Sequence, residues 1–187
     1  MKPKVISVIT VTFNALPALK LTAQSVLNQT YHNIKYIIVD GASTDGTIVW
    51  LKELETCLAL RSPQIVLNWK SEPDKGIYDA MNKGAAVARG EYCIFMNAGD
   101  TFADEDVVKR VVDSAPEEAC VIYGDILKKG KVKHSLQPCN CHKMFYCHQA
   151  AFTLTQCLRD FPFDIKHRWS ATLSDRGAGQ RTPSNSL

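Results

Sequence analysis

Thr12 and Asn14, Asp40, Glu72 and Asp74, and Asn97 and Asp100 each stand just beyond an apolar run of strand-forming residues. If those runs are parallel strands, all these side chains collect along one edge, where open α/β sheets bind their ligands. Helix N-termini at such an edge attract anions unaided. Acids beside them make chemical sense when a divalent cation lies between carboxylate and phosphate, or when they accept hydrogen bonds from a base or a ribose. A single acid at a strand end usually caps the next helix. Three successive strand ends carrying acids point instead to a ligand. The stretch "YCIFMNAGD", residues 92–100, shows the pattern most sharply, a buried strand running into a small, polar, acidic turn.

The elements that must position these groups follow from hydrophobic periodicity. "VISVITV" is a near-continuous apolar run, as expected for a strand covered on both faces. Leu16, Leu19, Ala23, Val26 and Leu27 then recur at helical spacing, with Pro17 in the first turn. "KYIIVD" reads as a second buried strand, and the loop "GASTDG" leads to a helix with Ile48, Leu51, Leu54 and Leu58 on one face. "QIVLNW" is the third strand. A helix follows with Ile77, Ala80, Met81, Gly84, Ala85 and Ala88 in one stripe, and Tyr78, Asp79, Asn82 and Lys83 opposite. "YCIFM" is the fourth strand, "DVVKRVVDS" begins a helix, and "ACVIYGD" is a fifth strand leading to a hairpin over a lysine-rich turn. Such alternation predicts an α/β fold, a mostly parallel sheet with helices on both faces. Beyond Phe163 the pattern collapses, and "DRGAGQRTPSNSL" reads as disordered.

Several function classes are disfavoured. "GASTDGT" has the glycine spacing of a phosphate-binding P-loop, but Thr47 stands where the lysine is required. No Gly-x-Gly-x-x-Gly follows the first strand, and no Gly-x-Ser-x-Gly elbow occurs. A net charge of +3 is too small to imply a nucleic-acid partner. The one basic cluster, Lys128, Lys129, Lys131 and Lys133 followed by His134, reads as a solvated hairpin tip or as a docking site for anionic lipid or an anionic acceptor. "CNCHKMFYCHQ" gathers Cys139, Cys141, His142, Cys147 and His148, but the irregular spacing fits half-buried cysteines better than zinc knuckles. Seven irregularly spaced cysteines suit a reducing compartment. Lys2, Lys4 and the apolar residues 5–13 imitate a signal peptide, yet Ser7, Thr10 and Thr12 interrupt the run and no cleavage site follows. No stretch has the length to span a bilayer. A cytoplasmic protein is expected.

Three segments, "ISVITVTFNA", "SVLNQTYHNIKYIIVDGASTDGT" and "SEPDKGIYDAMNKGAAVARGEYCIFMNAGD", resemble successive signatures of the family 2 inverting glycosyltransferases, in family order over about residues 4 to 168. "DKGIYDAMNKG" is similar to bacterial members that build extracellular or surface polysaccharides of the colanic-acid type. The resemblance implies a GT-A (Rossmann-like) fold over residues 1–168, binding a nucleotide-diphosphate sugar and a saccharide or lipid-linked acceptor. It places the protein at the inner face of the plasma membrane, with peripheral membrane association. By the same resemblance Thr12 and Asn14 wrap the nucleoside, Asp40 hydrogen-bonds the base, and Ser43 and Asp45 lie in the loop beside it. Asp74, Asp79 and Asn82 match the segment along base, ribose and phosphate, with plain solvent exposure the other reading of Asp79 and Asn82. "NAGD" occupies the acidic metal motif, with Asn97 and Gly99 in place of two aspartates. Magnesium or manganese commonly binds through one or two carboxylates plus substrate phosphates and waters, so Asp100 is the expected metal ligand and catalytic carboxylate. Asn97 then serves the ribose or a metal-bound water, and His148 and Gln149 mark the acceptor side.

Inversion also needs a general base to deprotonate the acceptor hydroxyl. In the resembling family the base is an acid of the second half, in a stretch such as Ala-Asp-Phe-Glu, but here the chain reads "ATLSD". Loss of one nucleotide from codons for Ala-Asp-Phe-Glu yields Thr-Leu-Ser, the residues found at Thr172, Leu173 and Ser174. Residues 169–187 are therefore expected to be an aberrant tail, out of frame after about Ala171, and the base is expected to be lost. Asp164 and Asp175 are weak substitutes. Two further readings stay open: a nucleotide-sugar-binding remnant without activity, and nucleotidyl transfer, which the missing glycine- and lysine-rich loop disfavours. Asp40 fits uracil, with guanine and thymine open.

Overall fold

The structure, a computed structural model, describes residues 3–61, 65–116, 119–135 and 147–165. Strands β1 (Ile6–Thr12), β2 (Ile34–Asp40), β3 (Ile65–Ser71) and β4 (Tyr92–Phe95) alternate with helices α1 (Leu16–Leu27), α2 (Thr47–Arg61) and α3 (Ile77–Val87). Helix α4 (Val107–Ser114), β5 (Val121–Tyr123) and a hairpin of β6 (Ile126–Lys128) and β7 (Lys131–Lys133) follow. A 3-10 turn (His148–Ala150), β8 (Ala151–Leu154) and α5 (Thr155–Asp160) complete the described chain.

The six-stranded sheet has the order β3-β2-β1-β4-β8-β5. β1 pairs in parallel with both β2 and β4, and β2 with β3, while β8 runs antiparallel between β4 and β5. The expected mostly parallel sheet is present, and its centre is the most apolar part of the chain. β1 is buried along its whole length, as a strand covered on both faces must be. β3, at the edge, alternates half-buried and exposed residues.

Helices cover both faces. Leu19, Ala23 and Val26 of α1, Leu51 of α2 and Val108 of α4 pack with Ile6, Val8, Tyr36, Ile38 and Ile94 on one side. Ala80, Met81 and Ala85 of α3 and Leu158 of α5 pack with Ile9, Val11, Ile37 and Phe95 on the other. The small residues of α3 let it lie close to the sheet: a Cβ on Gly84 would come within 2.5 Å of Ile9 Cγ2.

Two details differ from the sequence reading. Ile77, counted in the α3 stripe, is 47% exposed, because it opens the helix before the first turn reaches the sheet. The strand β8 and the helix α5 were not expected. A four-residue strand behind a polar stretch carries too little period to be seen, yet β8 separates β5 from β4. The lysine hairpin does form. Residues 169–187, most of the cysteine-rich stretch and the tail as a whole lie outside the described residues. Among the described residues no helix is long and apolar enough to cross a membrane.

Candidate functional site

The carboxyl ends of β1, β2 and β4 lie side by side, and their loops are joined by side chains. Asp40 ends β2 and is fully buried. Its Oδ2 accepts from the Ser43 amide at 3.0 Å and from Ser71 Oγ at 2.6 Å, and its Oδ1 accepts from Ser43 Oγ. Ser43 Oγ in turn accepts from the Asn14 amide at 2.7 Å, while Asn14 Oδ1 accepts from the Thr44 amide at 2.8 Å. Asp45 accepts from the Leu16 amide at 2.8 Å and from Thr47 Oγ1 at 2.6 Å, so one carboxylate ties the start of α1 to the start of α2. The Thr47 hydroxyl and the Leu16 amide hold its carboxyl below the usual range.

These contacts fix the loops after β1 and β2 as one unit. Asn14 (φ 46°) and Ala42 (φ 63°) both sit in the left-handed region. For alanine that conformation costs on the order of 1 kcal/mol, and it persists because the surrounding hydrogen bonds determine it. Gly41 is closed in as well, since a Cβ there would lie 2.7 Å from Asp74 Oδ2. The loop after β3 therefore touches the loop after β2. Ser71 was missed by the sequence reading, although the parallel register pairs it with Asp40.

Asp74 accepts from the Gly76 amide at 2.8 Å and shapes the turn into α3. Asp79 accepts from the Lys75 amide at 3.0 Å, and Lys83 Nζ lies 3.2 Å from Asp79 and 3.3 Å from Glu72. The Lys75 amide, then Lys83, hold the Asp79 carboxyl below its ordinary range, and Lys70 with Lys83 does the same for Glu72. Asn82 clasps the main chain of Phe163, with Nδ2 donating to its carbonyl at 2.8 Å and Oδ1 accepting from its amide at 2.9 Å. The Phe163 ring stacks on Tyr78 at 5.7 Å and meets Phe95 edge-on at 5.4 Å. Asn82 and Tyr78 thus fasten the segment after α5 to α3, a contact across 81 residues that no local pattern signals.

Beyond β4, Asp100 Oδ2 accepts from the Asn97 amide at 3.0 Å and from Gln149 Nε2 at 2.8 Å. Gln149 Oε1 accepts from Cys147 Sγ at 2.8 Å. Residues 97–100 and 147–149 are therefore one polar assembly. Three of its buried polar atoms, or of its immediate neighbour β1, have no hydrogen-bond partner among the described residues: Thr12 Oγ1, Asn97 Oδ1 and His148 Nε2. Buried polar atoms are nearly always satisfied, and each left bare costs about 1–3 kcal/mol. Thr12 ends β1 and Asn97 follows β4 at the carboxyl edge, and His148 precedes β8, which runs antiparallel to β4, so all three stand at that edge. Burial lowers the pKa of the His148 imidazole, and the nearby Asp100 charge opposes that shift.

A histidine kept neutral by burial has a folded pKa below its unfolded value, so its contribution is complete above about 6.5. As pH falls through that value toward the folded pKa, the unfolded chain takes up the proton first and stability is lost. Urea midpoints between pH 7.5 and pH 5 should fall with pH, and His148→Gln should flatten this slope; equal slopes in the two proteins contradict the assignment.

The residues fit a divalent cation of the kind held mainly by substrate. No cluster of three His, Cys, Asp or Glu is present among the described residues. Asp100 takes both of its hydrogen bonds on Oδ2, and Asn97 Oδ1 is bare. One carboxylate with a neutral oxygen beside it suits magnesium or manganese completed by phosphates and water.

The sheet order, with helices on both faces and a polar carboxyl edge, defines an α/β protein of the GT-A type. Residues 7–171 match the family "Glycosyl transferase family 2", and the chain belongs to that family. Over 158 residues it is 34% identical to an uncharacterized glycosyltransferase of Mycobacterium tuberculosis, covering 79% of this chain and 57% of that protein. It is 27% identical over 158 residues to the PGL/p-HBAD biosynthesis glycosyltransferase of Mycobacterium bovis, covering 81% and 60%. Among solved structures, S. aureus TarS in complex with UDP superposes with a TM-score of 0.68 at 17% identity, over 87% of this chain and 51% of that one. The mannosyltransferase PcManGT from Pyrobaculum calidifontis, in complex with GDP-Man and Mn2+, gives 0.63 at 18% identity over 87% and 48%. At these identities the structures bear on fold alone. The chain spans less than two thirds of the length of these curated relatives, 57% and 60%.

Proposed function

We propose that this protein transfers a sugar, with inversion, from a nucleotide-diphosphate sugar to a saccharide or lipid-linked acceptor. The pathway is surface polysaccharide or glycolipid assembly, at the cytoplasmic face of the plasma membrane. The observation that carries this reading is the set of bare buried atoms, Thr12 Oγ1, Asn97 Oδ1 and His148 Nε2, ranged along the sheet edge beside Asp100. Family membership and the UDP and GDP-Man held by fold relatives support it.

In this reading Thr12 and Asn14 face the nucleoside, and the buried Asp40 holds the Ser43–Asp45 loop in shape for the base. Asp74 and Asp79 line the base, ribose and phosphate side, Asn82 stands beside them holding the Phe163 main chain, and Asn97 faces the ribose or a metal-bound water. A divalent cation held at Asp100 supplies charge neutralisation to the departing nucleoside diphosphate. Gln149 orients Asp100, and His148 faces the acceptor. A second reading, binding without transfer, draws support from the sequence, which has "ATLSD" where the resembling family carries its acidic stretch.

The two readings separate in a release assay. The protein with manganese and a panel of UDP- and GDP-sugars, given a membrane lipid extract, should free nucleoside diphosphate above the rate without extract. Binding without extract-dependent release selects the second reading.

A further inference from the structure

The hairpin β6–β7 stands apart from the main sheet as its own two-stranded ribbon. Its turn residues Lys129 (φ 51°) and Gly130 (φ 72°) both take the left-handed conformation that matches ribbon twist. The register sets Ile126 opposite Lys133, Leu127 opposite Val132 and Lys128 opposite Lys131. Successive pairs alternate between faces. Leu127 and Val132 therefore share one face, Lys128, Lys131 and Lys133 lie on the other, and Lys129 is at the tip. Leu127 is 66% exposed and Val132 56%.

The base of the ribbon is fastened. Asp125 Oδ1 accepts from the Ser135 amide at 2.8 Å, and Oδ2 lies 2.7 Å from His134 Nδ1. The carboxylate at the base is thus engaged across the ribbon, and none of the four lysines forms an ion pair among the described residues. A two-stranded ribbon is marginal in water by itself, and this one presents an apolar cross-strand pair together with four uncompensated cations.

We propose that this hairpin docks the protein on an anionic bilayer surface. Leu127 and Val132 enter the interfacial layer, Lys129 meets lipid phosphates at the tip, and the long stems of Lys128, Lys131 and Lys133 reach round the edges of the narrow two-stranded ribbon to the same phosphates. The charge selects an anionic partner, and the exposed apolar pair selects a bilayer over a soluble polyanion, which offers no apolar phase. The position has a consequence. Gly124, just before the hairpin, donates its amide to the Ala150 carbonyl at 3.0 Å, in the turn that carries His148 and Gln149. Docking brings the acceptor side of the sheet edge to the membrane, where a lipid-linked acceptor resides. That last step rests on the function proposed above; the docking itself does not.

The test is co-sedimentation of the full 187-residue chain with vesicles in the absence of nucleotide. Partitioning onto mixed phosphatidylglycerol–phosphatidylcholine vesicles should exceed that onto pure phosphatidylcholine by about a hundredfold at low salt and fall as salt rises. The K128Q/K129Q/K131Q/K133Q variant should lose that preference. L127S/V132S should bind about tenfold more weakly while remaining salt-sensitive. All six side chains are exposed, so unchanged melting of both variants checks the fold. Equal binding to the two vesicle types, undiminished binding of the lysine variant, or binding to heparin but to no vesicle overturns the proposal. Because no nucleotide is present, a failure of the glycosyltransferase reading leaves this result unaffected.

Discussion

If the turn after β4 holds the cation as proposed, Asp100→Asn should remove the manganese-dependent part of nucleoside diphosphate binding and should lower sugar transfer by about 10²–10³-fold, the scale on which loss of one transition-state charge contact is felt. Asparagine is the informative replacement because the site uses Asp100 in two ways. Oδ2 accepts from the Asn97 amide and from Gln149 Nε2, and an asparagine oxygen can still accept both. Only the negative charge is withdrawn. The fold should therefore survive, with a melting temperature near that of the parent, while the difference between melts with and without manganese disappears. Alanine would mix this with the cost of two unpaired donors. If Asp100→Asn keeps the manganese dependence, the cation is held elsewhere and the role given to the turn after β4 is wrong.

Asp40→Ala has the largest expected effect on stability. The mutation strands the Ser43 amide and Ser43 Oγ around a buried position and Ser71 Oγ at its half-buried margin. Each unpaired donor costs about 1–3 kcal/mol, so even with one of them rehydrated the loss is about 3 kcal/mol. For a chain of this size that corresponds to a fall in melting temperature of roughly 6–12 °C. The effect should spread, because Ser43 also accepts the Asn14 amide and so carries the loop after β1. Nucleotide affinity should drop together with stability. Urea unfolding of Asp40→Ala within 1 kcal/mol of the parent, a difference at the low end of a single unpaired donor, would show that these bonds are replaced by water at little cost.

Much of this arrangement was legible in the sequence. The strands that end on Asp40 and the turn at residues 97–100 are near-continuous apolar runs, and such runs declare themselves. The alternation with α1, α2 and α3 then dictates a common carboxyl edge, which brings Thr12, Asp40 and Asp100 to one side. What the sequence concealed are contacts whose partners have no local pattern. The clasp of Asn82 on Phe163 spans 81 residues. Ser71 reaches Asp40 only through the register of β2 and β3. The strand β8 is four residues long and gains its place by pairing with both β4 and β5. Ile77 misled because helical spacing says which residues share a face but not where along the helix the sheet begins.

Asp40 shows a subtler limit. The family resemblance gives it contact with the base, and the structure adds that its buried carboxylate accepts from Ser43 in the loop after β2 and from Ser71 at the end of β3. An acid at a binding edge can serve a ligand by shaping the loop that meets it, and residue type alone does not distinguish the two uses.

The central claim is that the carboxyl edge binds a nucleoside diphosphate together with a divalent cation. Thermal melting of the purified chain with UDP and with GDP, each with and without manganese, tests it most directly. Ligand at a hundred times its dissociation constant adds about 2.7 kcal/mol, which predicts a rise of roughly 5–11 °C with one of the two nucleotides, larger with manganese than without. A melting temperature indifferent to both nucleotides, with and without the metal, would contradict the account.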